Sequence, residues 1–446
     1  MSAEPPSPKV RVVHALRGLL STGFFNIVGS SVLNRIITFL SGMVLVRVLS
    51  KEDYGAYSYA LTLVNYFILF NGLGTSSCVV QLCVEQKEDG RAEYVYQVAN
   101  SIGILWDMVL TCAIAFVAMF VELSVEGANL ALLCLAPLPL CSLLVEFQQQ
   151  RLRSEFKTRE YAWATNINSV VLVVLSVLGA FVGSTTGLSL ARSLAMVLSV
   201  IVVFFLFRTR IYLCPPKAPY VLIADIVKMS LTVCVTNAVS QALMLIGTSF
   251  VGFQLRSADL TATYSTATAI PFALAFLPSM ITVYAMPFFV QHASERRWVL
   301  RSLALCTLAT MAASSLVAVF CIGLADWLIP FVFGDQYKDA IPSFRILIVA
   351  FAVAAPFRTV SGNVLASHRR YVFNLLSGLV SLVTCSVVTW WALPSMGIEG
   401  AAIGYLAAMV VGSIVNVGGV LAFAGCPRHL TLSREDASDE RVQRDS

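Results

Sequence analysis

The sequence has 446 residues, of which 58% are hydrophobic and 12% are charged, with a mean hydropathy of +0.80 and a net charge of +5. A soluble domain carries roughly 25% charged residues, whereas these charges lie in short islands between apolar runs of about 20 residues, the length that spans a bilayer. A soluble enzyme, a nucleic-acid-binding protein and a disordered scaffold are therefore excluded. We predict an all-α, polytopic membrane protein.

The apolar runs, taken in chain order, predict about twelve transmembrane helices. Their approximate limits are 20–49, 54–84, 94–121, 128–150, 161–183, 187–207, 222–252, 260–290, 299–323, 341–366, 371–393 and 397–425. The polar segments at either end are a predicted cytoplasmic N-terminus, 1–18, and a predicted disordered cytoplasmic tail, 427–446. Between them we predict two six-helix bundles, 19–214 and 215–426.

The distribution of basic residues predicts the orientation of these spans. With the N-terminus placed inside, 22 of the 30 Lys and Arg residues fall in inner segments, and four fall in outer loops. Basic residues are enriched in cytoplasmic loops of membrane proteins. We therefore predict that both termini lie in the cytoplasm and that the protein resides in the cell inner membrane.

The two halves of the sequence resemble each other at an offset of about 210 residues. Residues 57–60 (YSYA) align with 264–267 (YSTA), and 187–191 (GLSLA) align with 397–401 (GIEGA). Six helices per half give both copies the same orientation, so a pseudo-twofold axis along the membrane normal is expected. Repeats of this kind are typical of alternating-access transporters, which bind their substrate between the halves.

Six ionisable residues are predicted to lie at bilayer depth, where each costs roughly 2.5–3.5 kcal/mol or more and so marks a candidate site. The four basic ones are Arg35, Arg192, Arg345 and Arg358, and the two acidic ones are Asp107 and Glu146. Arginine matches phosphate geometry and stays charged at any pH. The excess of arginine predicts a cationic cavity that binds an anionic, phosphate-bearing cargo.

Alternatives remain for these residues. Arg192 lies in the outer third of its span, where contact with lipid headgroups explains it equally well. Asp107 and Glu146 are predicted either to pair with Arg35 or Arg358, or to carry a coupling ion. We predict no metal site and no cofactor, because the histidines are scattered and the cysteines form no paired motif.

Polar stripes on two spans predict the lining of the cavity. Asn34 and Thr38 flank Arg35 on the first span, and Asn237 and Gln241 lie one helical turn apart on the seventh. Such side chains either bind sugar or form hydrogen bonds between helices. Their accumulation near the interface of the repeat favours a cavity.

Three motifs carry a family resemblance: Asn34-Arg35 with residues 45–57 (LVRVLSKEDYGAY), residues 333–340 (FGDQYKDA), and residues 397–402 (GIEGAA). On these the chain resembles the polysaccharide transporter family of flippases for O-antigen and exopolysaccharide, within the multidrug/oligosaccharidyl-lipid/polysaccharide (MOP) superfamily. The resemblance covers about residues 15–425. Arg35 and Arg47 match the basic positions of the family's first helix.

The resemblance implies two bundles around a cationic central cavity. It implies a flippase that moves undecaprenyl-diphosphate-linked oligosaccharide to the outer leaflet for surface polysaccharide biosynthesis. The implied partners are the lipid-linked oligosaccharide and membrane lipids, with a polysaccharide polymerase as a candidate and no nucleic acid.

The alternative function is a cation-coupled multidrug exporter of the same superfamily, which would need acidic residues to dominate the cavity. The protein is predicted not to be an enzyme, because its outer loops are short and no paired-carboxylate or nucleotide motif stands out.

Overall fold

In the residues that the computed structural model describes, the regular secondary structure is helical. The described residues are 24–76, 79, 83, 92–212, 220–278, 289, 295–368 and 370–423. The predicted N-terminal segment 1–18, the tail 427–446 and the junction between the predicted bundles at 214 and 215 lie outside the described residues. The domain limits therefore remain predictions.

The helices are α1 (Phe24–Val48), α2 (Lys51–Ile68), α3 (Ala92–Phe120), α4 (Ala128–Leu135), α5 (Leu138–Ser154), α6 (Thr158–Phe207), α7 (Tyr220–Leu255), α8 (Ala258–Leu274), α9 (Arg296–Gly323), α10 (Ala325–Phe333), α11 (Ile341–Val353), α12 (Val360–Ser367), α13 (Tyr371–Met396) and α14 (Ile398–Phe423). Within the described residues, eight stretches are long and apolar enough to cross a membrane. The all-α prediction is confirmed.

Two predicted spans are interrupted. The second span, predicted as continuous from 54 to 84, leaves the α-helix after Ile68 and forms a 3-10 turn at Asn71–Gly74, with positive φ at Gly72 and Leu73. The fourth span is divided into α4 and α5 at Pro137, because proline lacks the N–H that a continuing helix requires. Each break creates a local bend that a straight helix would not have.

The fifth, sixth and tenth predicted spans are helical, and each departs from a straight, separate α-helix. The fifth and sixth spans form the two arms of α6, which reverses where Gly183 and Ser184 adopt non-helical angles. The tenth span runs through α11 and α12, which are joined by a π-helical turn, Ala354–Thr359, containing Pro356. Turns of this kind recur at functional sites.

The internal repeat is visible in the second helix of each half. Ser50 begins α2 by accepting a hydrogen bond from the Asp53 N–H at 3.0 Å, and Ser257 begins α8 by accepting one from the Leu260 N–H at 3.3 Å. Such capping is strongly favoured for serine. Since positions 50 and 257 are 207 residues apart, the two halves start equivalent helices in the same way.

Each half has its own apolar core. One principal cluster is built from α1 to α6, and the other is built from α7 to α11 with α13 and α14, joined by Val46 of α1. In the second half, Gly400, Gly404 and Gly412 allow α14 to lie against α13, because a β-carbon at any of them would overlap that helix. Small residues at helix crossings are the usual means of close packing in membranes.

One end of the bundle, here called the Ser50 end, gathers four connections of the chain. A surface pocket of about 500 Å³ at this end is lined by residues of the 52–56, 126–130, 185–186 and 256–259 segments. Exposed tryptophans lie nearby, including Trp327, which stacks on Phe331 with centroids 4.6 Å apart, and Trp391. Aromatic residues of this kind mark a membrane–water interface.

The opposite end, here called the Arg151 end, is built around an ion-pair cluster. Arg151 binds both carboxylate oxygens of Glu93, at 3.2 and 2.8 Å, and its guanidinium lies 4.9 Å from the centroid of the Tyr96 ring. In the α5–α6 connection, burial raises the pKa of Glu155, but Lys157 and Arg151 lower it by more, so that the pKa lies below its ordinary value. This cluster ties α3, α5 and the start of α6 together.

Candidate functional site

Two clefts open between the two halves. The first, the α1–α8 cleft, has a volume of about 440 Å³. It is lined by Asn34, Arg35, Thr38, Phe39, Gly42, Met43, Val46, Tyr54, Ala269, Ala273 and Phe333. Apart from its polar end at Asn34, Arg35 and Thr38, the lining is mostly apolar. The cleft is therefore a largely hydrophobic groove with one fixed positive charge.

Arg35 is the charged group of this groove. It lies thirteen residues before Val48, the end of α1, which is roughly 20 Å along the helix and so deep within a bilayer core about 30 Å thick. Its guanidinium lies 4.7 Å from the centroid of the Phe276 ring, a stabilising cation–π contact. No described carboxylate forms a salt bridge with it. An unneutralised guanidinium at this depth attracts an anion.

The second cleft, the α2–α7 cleft, has a volume of about 340 Å³. It is lined by Asn65, Ile68, Leu69, Asn71, Gly74, Ser76, Glu146, Cys234, Asn237, Ala238, Gln241 and Leu245. Its polar groups are amides, a hydroxyl and one carboxylate. It thus differs from the α1–α8 cleft both in charge and in hydrogen-bonding capacity.

The hydrogen bonds of the α2–α7 cleft are incomplete. One carboxylate oxygen of Glu146 accepts from the Ser76 hydroxyl at 2.9 Å. The side-chain amides of Asn65, Asn237 and Gln241 form no hydrogen bond with any part of the chain that the structure describes. An amide carries two donor hydrogens and an acceptor oxygen. These groups are available to a ligand.

The break in the second span forms the floor of this cleft. Three consecutive residues, Gly72, Leu73 and Gly74, have φ angles of 53°, 52° and 77°, a region that glycine tolerates and leucine rarely adopts. The Asp107 carboxylate, which is fully buried, accepts a hydrogen bond from the Gly72 N–H at 2.7 Å. The Asn71 amide, oriented to satisfy its neighbours, donates to the Pro139 carbonyl at 3.0 Å and to the Asp107 carboxylate.

The break also contacts the other half of the molecule. A β-carbon at Gly74 would lie 2.6 Å from the Ser230 carbonyl oxygen and 3.0 Å from the β-carbon of Cys234, both on α7. The Cys234 thiol in turn lies 3.4 Å from the Leu69 carbonyl oxygen, to which it donates. The turn is therefore fitted against α7, and only glycine can occupy position 74.

The four intramembrane arginines predicted to bind substrate do not line a single cleft in the described part of the chain. Arg35 lines the α1–α8 cleft, whereas Arg192 donates to the Tyr57 hydroxyl at 3.0 Å. Arg345 forms an ion pair of 2.8 Å with Asp326 near the Ser50 end. Arg358 lies in the π-helical turn, beside Gly412 of α14.

The polar residues predicted to line a cavity divide between the two clefts. Asn34 and Thr38 lie in the α1–α8 cleft, and Asn237 and Gln241 lie in the α2–α7 cleft. Among the described residues, neither Asp107 nor Glu146 forms an ion pair with an arginine. Asp107 instead holds the break in the second span, and Glu146 lines the α2–α7 cleft. No group of residues in the described ranges is arranged to hold a metal ion.

Sequence reasoning missed the break and the polar groups around it. Asn65, Asn71 and Ser76 were not singled out, because each is an isolated polar residue in an apolar run. The Asn-Gly-Leu-Gly sequence at 71–74 was the available signal, since Asn-Gly pairs and clustered glycines mark turns. Residues 71–74 lie inside the apolar run 54–84, and the hydropathy of that run predicts one continuous helix in spite of the turn signal.

The two halves are joined directly at the Ser50 end. The hydroxyl oxygens of Ser58 and Ser265 lie 2.6 Å apart, and these are equivalent positions of the internal repeat. A β-carbon at Gly55 would overlap the backbone of Ala258. Equivalent residues of a twofold repeat meet only near its axis, so α2 and α8 cross at the pseudo-twofold axis. Both clefts are therefore closed towards the Ser50 end along this crossing.

Arg47 adds a second link between the halves at the same end. It donates to the Val332 carbonyl at 2.9 Å and to the Phe331 carbonyl, at the C-terminus of α10. A positive charge there also interacts favourably with the helix dipole. The guanidinium thereby fastens α1 to the short helix α10 of the second half.

The described part of the chain thus has an all-helical membrane-protein fold of two repeated halves, with two clefts between them at bilayer depth. The structure of the lipid II flippase MurJ in an inward closed conformation is similar, with a TM-score of 0.72 and 14% identity over 88% of this chain and 86% of that chain. The inward-facing structure of a multidrug resistance MATE family transporter of the MOP superfamily is also similar. Its TM-score is 0.69, with 14% identity over 89% of this chain and 96% of that chain.

A third similar structure is a MOP superfamily transporter from Pyrococcus furiosus, described as having a binding pocket of reversed polarity. Its TM-score is 0.58, with 15% identity over 92% of this chain and 94% of that chain. At these identities the likeness establishes the fold alone. Among curated protein sequences no significant match is found.

The sequence assigns the family within this fold. A model of the family described as polysaccharide biosynthesis protein matches residues 44–342, more than half of the chain. The chain belongs to this family. The predictions of the family and of the all-α fold are thereby confirmed.

Proposed function

We propose that this protein is a flippase for undecaprenyl-diphosphate-linked oligosaccharide, which it carries from the cytoplasmic to the outer leaflet of the inner membrane for surface polysaccharide biosynthesis. The observation that carries the proposal is Arg35, an arginine without a described acidic partner in a mostly apolar cleft between the halves. A lipid diphosphate needs both features, because its headgroup is anionic and its chain is hydrocarbon.

The chemistry of the groove supports an anionic cargo over a cationic drug. The guanidinium presents several N–H donors in a fixed plane and binds phosphate oxygens bidentately. Phe39, Met43 and Val46 continue along the same groove towards Phe333. A diphosphate at Arg35 would leave its prenyl chain in contact with these apolar side chains.

The proposed orientation places the Arg151 end in the cytoplasm. The inner segments predicted from the sequence, to which the connection at Arg151 belongs, carry 22 of the 30 Lys and Arg residues, as the positive-inside rule requires of cytoplasmic loops. The closed crossing of α2 and α8 then lies on the outer side. Transport in this proposal is a rocking of the two halves that opens this crossing and delivers the cargo outward.

The test is complementation of a strain that lacks the protein, with surface polysaccharide as the readout. We expect Arg35→Ala to reduce surface polysaccharide roughly tenfold or more, because a hydrogen bond to a charged group contributes about 1.5–3 kcal/mol. Arg35→Lys should restore part of it, since the charge remains without the bidentate fork.

Arg345→Ala is the matched control, because this arginine is already neutralised by Asp326 at the surface. It should support normal polysaccharide at equal membrane abundance. Full recovery with Arg35→Ala would contradict the proposal. Resistance to cationic drugs on overexpression, with no loss of glycan on deletion, would instead support the multidrug exporter.

A further inference from the structure

The α2–α7 cleft holds more hydrogen-bonding groups than the protein itself uses. The amides of Asn65, Asn237 and Gln241 and the second carboxylate oxygen of Glu146 bond to none of the described residues, although all line one cavity. Asn237 and Gln241 are exposed to the cleft and Asn65 and Glu146 are partly exposed, so a ligand can reach their donors and acceptors. A cavity that gathers four such groups is suited to a ligand that supplies the missing donors and acceptors.

These groups face each other across the interface of the two halves. Asn237 and Gln241, one turn apart on α7, form the wall of the second half. Asn65 of α2 and Glu146 of α5 form the wall of the first half. A ligand held by both walls would bridge the halves, and its binding would respond to their relative movement.

The chemistry of the walls matches hydroxyl groups. Each amide both donates and accepts hydrogen bonds, and a carboxylate accepts two from neighbouring donors. A sugar hydroxyl likewise donates one hydrogen bond and accepts others. Ile68, Leu69 and Leu245 complete the lining and provide contact for the C–H faces of a ring.

The charge of the cleft restricts which sugars fit. None of the described residues that line it is Lys or Arg, and its one carboxyl group, that of Glu146, is negative when it is ionised. Like charges at close range repel, most strongly where water is excluded. A diphosphate or a uronic acid is therefore disfavoured here, whereas an uncharged hexose or N-acetylhexosamine is not.

We propose that the α2–α7 cleft is a subsite for uncharged, hydroxyl-rich sugar units, with Asn237, Gln241 and Glu146 as its specificity-determining residues. The inference rests on the proposed flippase function, which assigns the diphosphate to Arg35 in the other cleft. It adds that the glycan is recognised separately from the diphosphate, and that sugar units bearing a negative charge are discriminated against.

The experiment measures binding to the full-length protein purified in nanodiscs. Three probes are compared: undecaprenyl diphosphate alone, undecaprenyl diphosphate bearing one N-acetylhexosamine, and undecaprenyl diphosphate bearing one hexuronic acid. For the wild type we expect the N-acetylhexosamine probe to bind roughly tenfold more tightly than the bare lipid, the equivalent of one or two hydrogen bonds. The hexuronic acid probe should bind no more tightly than the bare lipid.

The variants separate the two clefts. Asn237→Ala combined with Gln241→Ala should remove the tenfold gain and leave binding of the bare lipid unchanged. Glu146→Lys should shift the preference towards the hexuronic acid probe. Gln254→Ala, which removes an amide elsewhere on α7, is the matched control and should keep the full gain.

Three outcomes would overturn the sugar subsite. One is an undiminished gain in the double variant, and another is the absence of any gain in the wild type. The third outcome concerns Glu146. Bare-lipid binding would depend on Na⁺ or pH, Glu146→Gln would abolish that dependence, and the double variant would keep the sugar gain. Glu146 would then be an ion site. Failure of the proposed function is distinguishable, since bare undecaprenyl diphosphate would then bind neither the wild type nor any variant.

Discussion

The two clefts between the halves differ in what they can bind, although both are lined by helices from each half. The α1–α8 cleft has a single positive charge, Arg35, at one end of a mostly apolar groove. The α2–α7 cleft has amides and the carboxylate of Glu146. The first suits an anion attached to hydrocarbon, and the second suits an uncharged polar group.

This difference shows how a nearly twofold-symmetric fold can hold an asymmetric cargo. A lipid-linked oligosaccharide has three chemically distinct parts: a hydrocarbon chain, a diphosphate and a glycan. Two identical clefts would serve only one of these parts. The repeat supplies the framework and its axis, at which Ser58 meets Ser265, while divergence of the side chains on either side of that axis supplies selectivity.

The largest expected effect comes from preventing the halves from separating. Ser58→Cys combined with Ser265→Cys places two thiols where the hydroxyl oxygens are 2.6 Å apart, close enough for a disulfide. Oxidation should abolish transport from both clefts, and a reductant should restore it. The measurement is surface polysaccharide with and without oxidant, and each single variant controls for bridges to native cysteines. Transport by the fully cross-linked protein would show that this crossing does not open.

An intermediate effect is expected from filling the α1–α8 cleft alone. An added β-carbon at Gly42 meets nothing within 4 Å, so Gly42→Phe should fold normally and occupy the groove. We expect transport to fall roughly tenfold, equal to about 1.4 kcal/mol of lost cargo binding. Gly418→Phe, at a similarly open position on α14, should have no effect. Normal transport by Gly42→Phe would mean that cargo bypasses this groove.

A smaller effect, on stability, is expected at the floor of the α2–α7 cleft. Asp107→Leu removes the acceptor of the Gly72 N–H and leaves that buried donor unpaired, which costs about 1–3 kcal/mol. Asp107→Asn keeps an acceptor oxygen for the Gly72 N–H but turns its NH2 group towards the Asn71 amide, so it should lose less stability than Asp107→Leu. Thermal unfolding of the purified variants checks both. Loss of transport in Asp107→Asn at an unchanged unfolding temperature would favour ion coupling over a structural clamp.

The features of this fold that the sequence predicts are those set by short-range physical effects. Hydropathy over 20 residues located the spans, because the requirement to cross the bilayer acts on each helix separately. The alignment of 57–60 with 264–267 identified Ser58 and Ser265 as equivalent positions of the repeat, and the structure places them in contact. The break at 71–74 escaped notice, since it depends on Asp107 and Asn71, which lie far from each other in the chain but adjacent in the fold.

The sequence also located the candidate charges without establishing their partners. It identified Arg35, Arg192, Arg345 and Arg358 as one set, because each lies in an apolar run. In the structure they have different surroundings: Tyr57 accepts from Arg192, Asp326 pairs with Arg345, and Arg35 lies over Phe276. Whether an intramembrane charge is neutralised depends on the neighbouring helices and not on its own helix.

The sequence by itself determined the class of protein, the helical fold and the family, because these depend on composition, periodicity and local motifs. Only the tertiary structure decided that the polar residues separate into two clefts, one around Arg35 and one around Glu146. The physical reason is that helix–helix packing chooses which face of each helix meets its neighbour. Hydropathy requires only that the helix be apolar enough to enter the membrane.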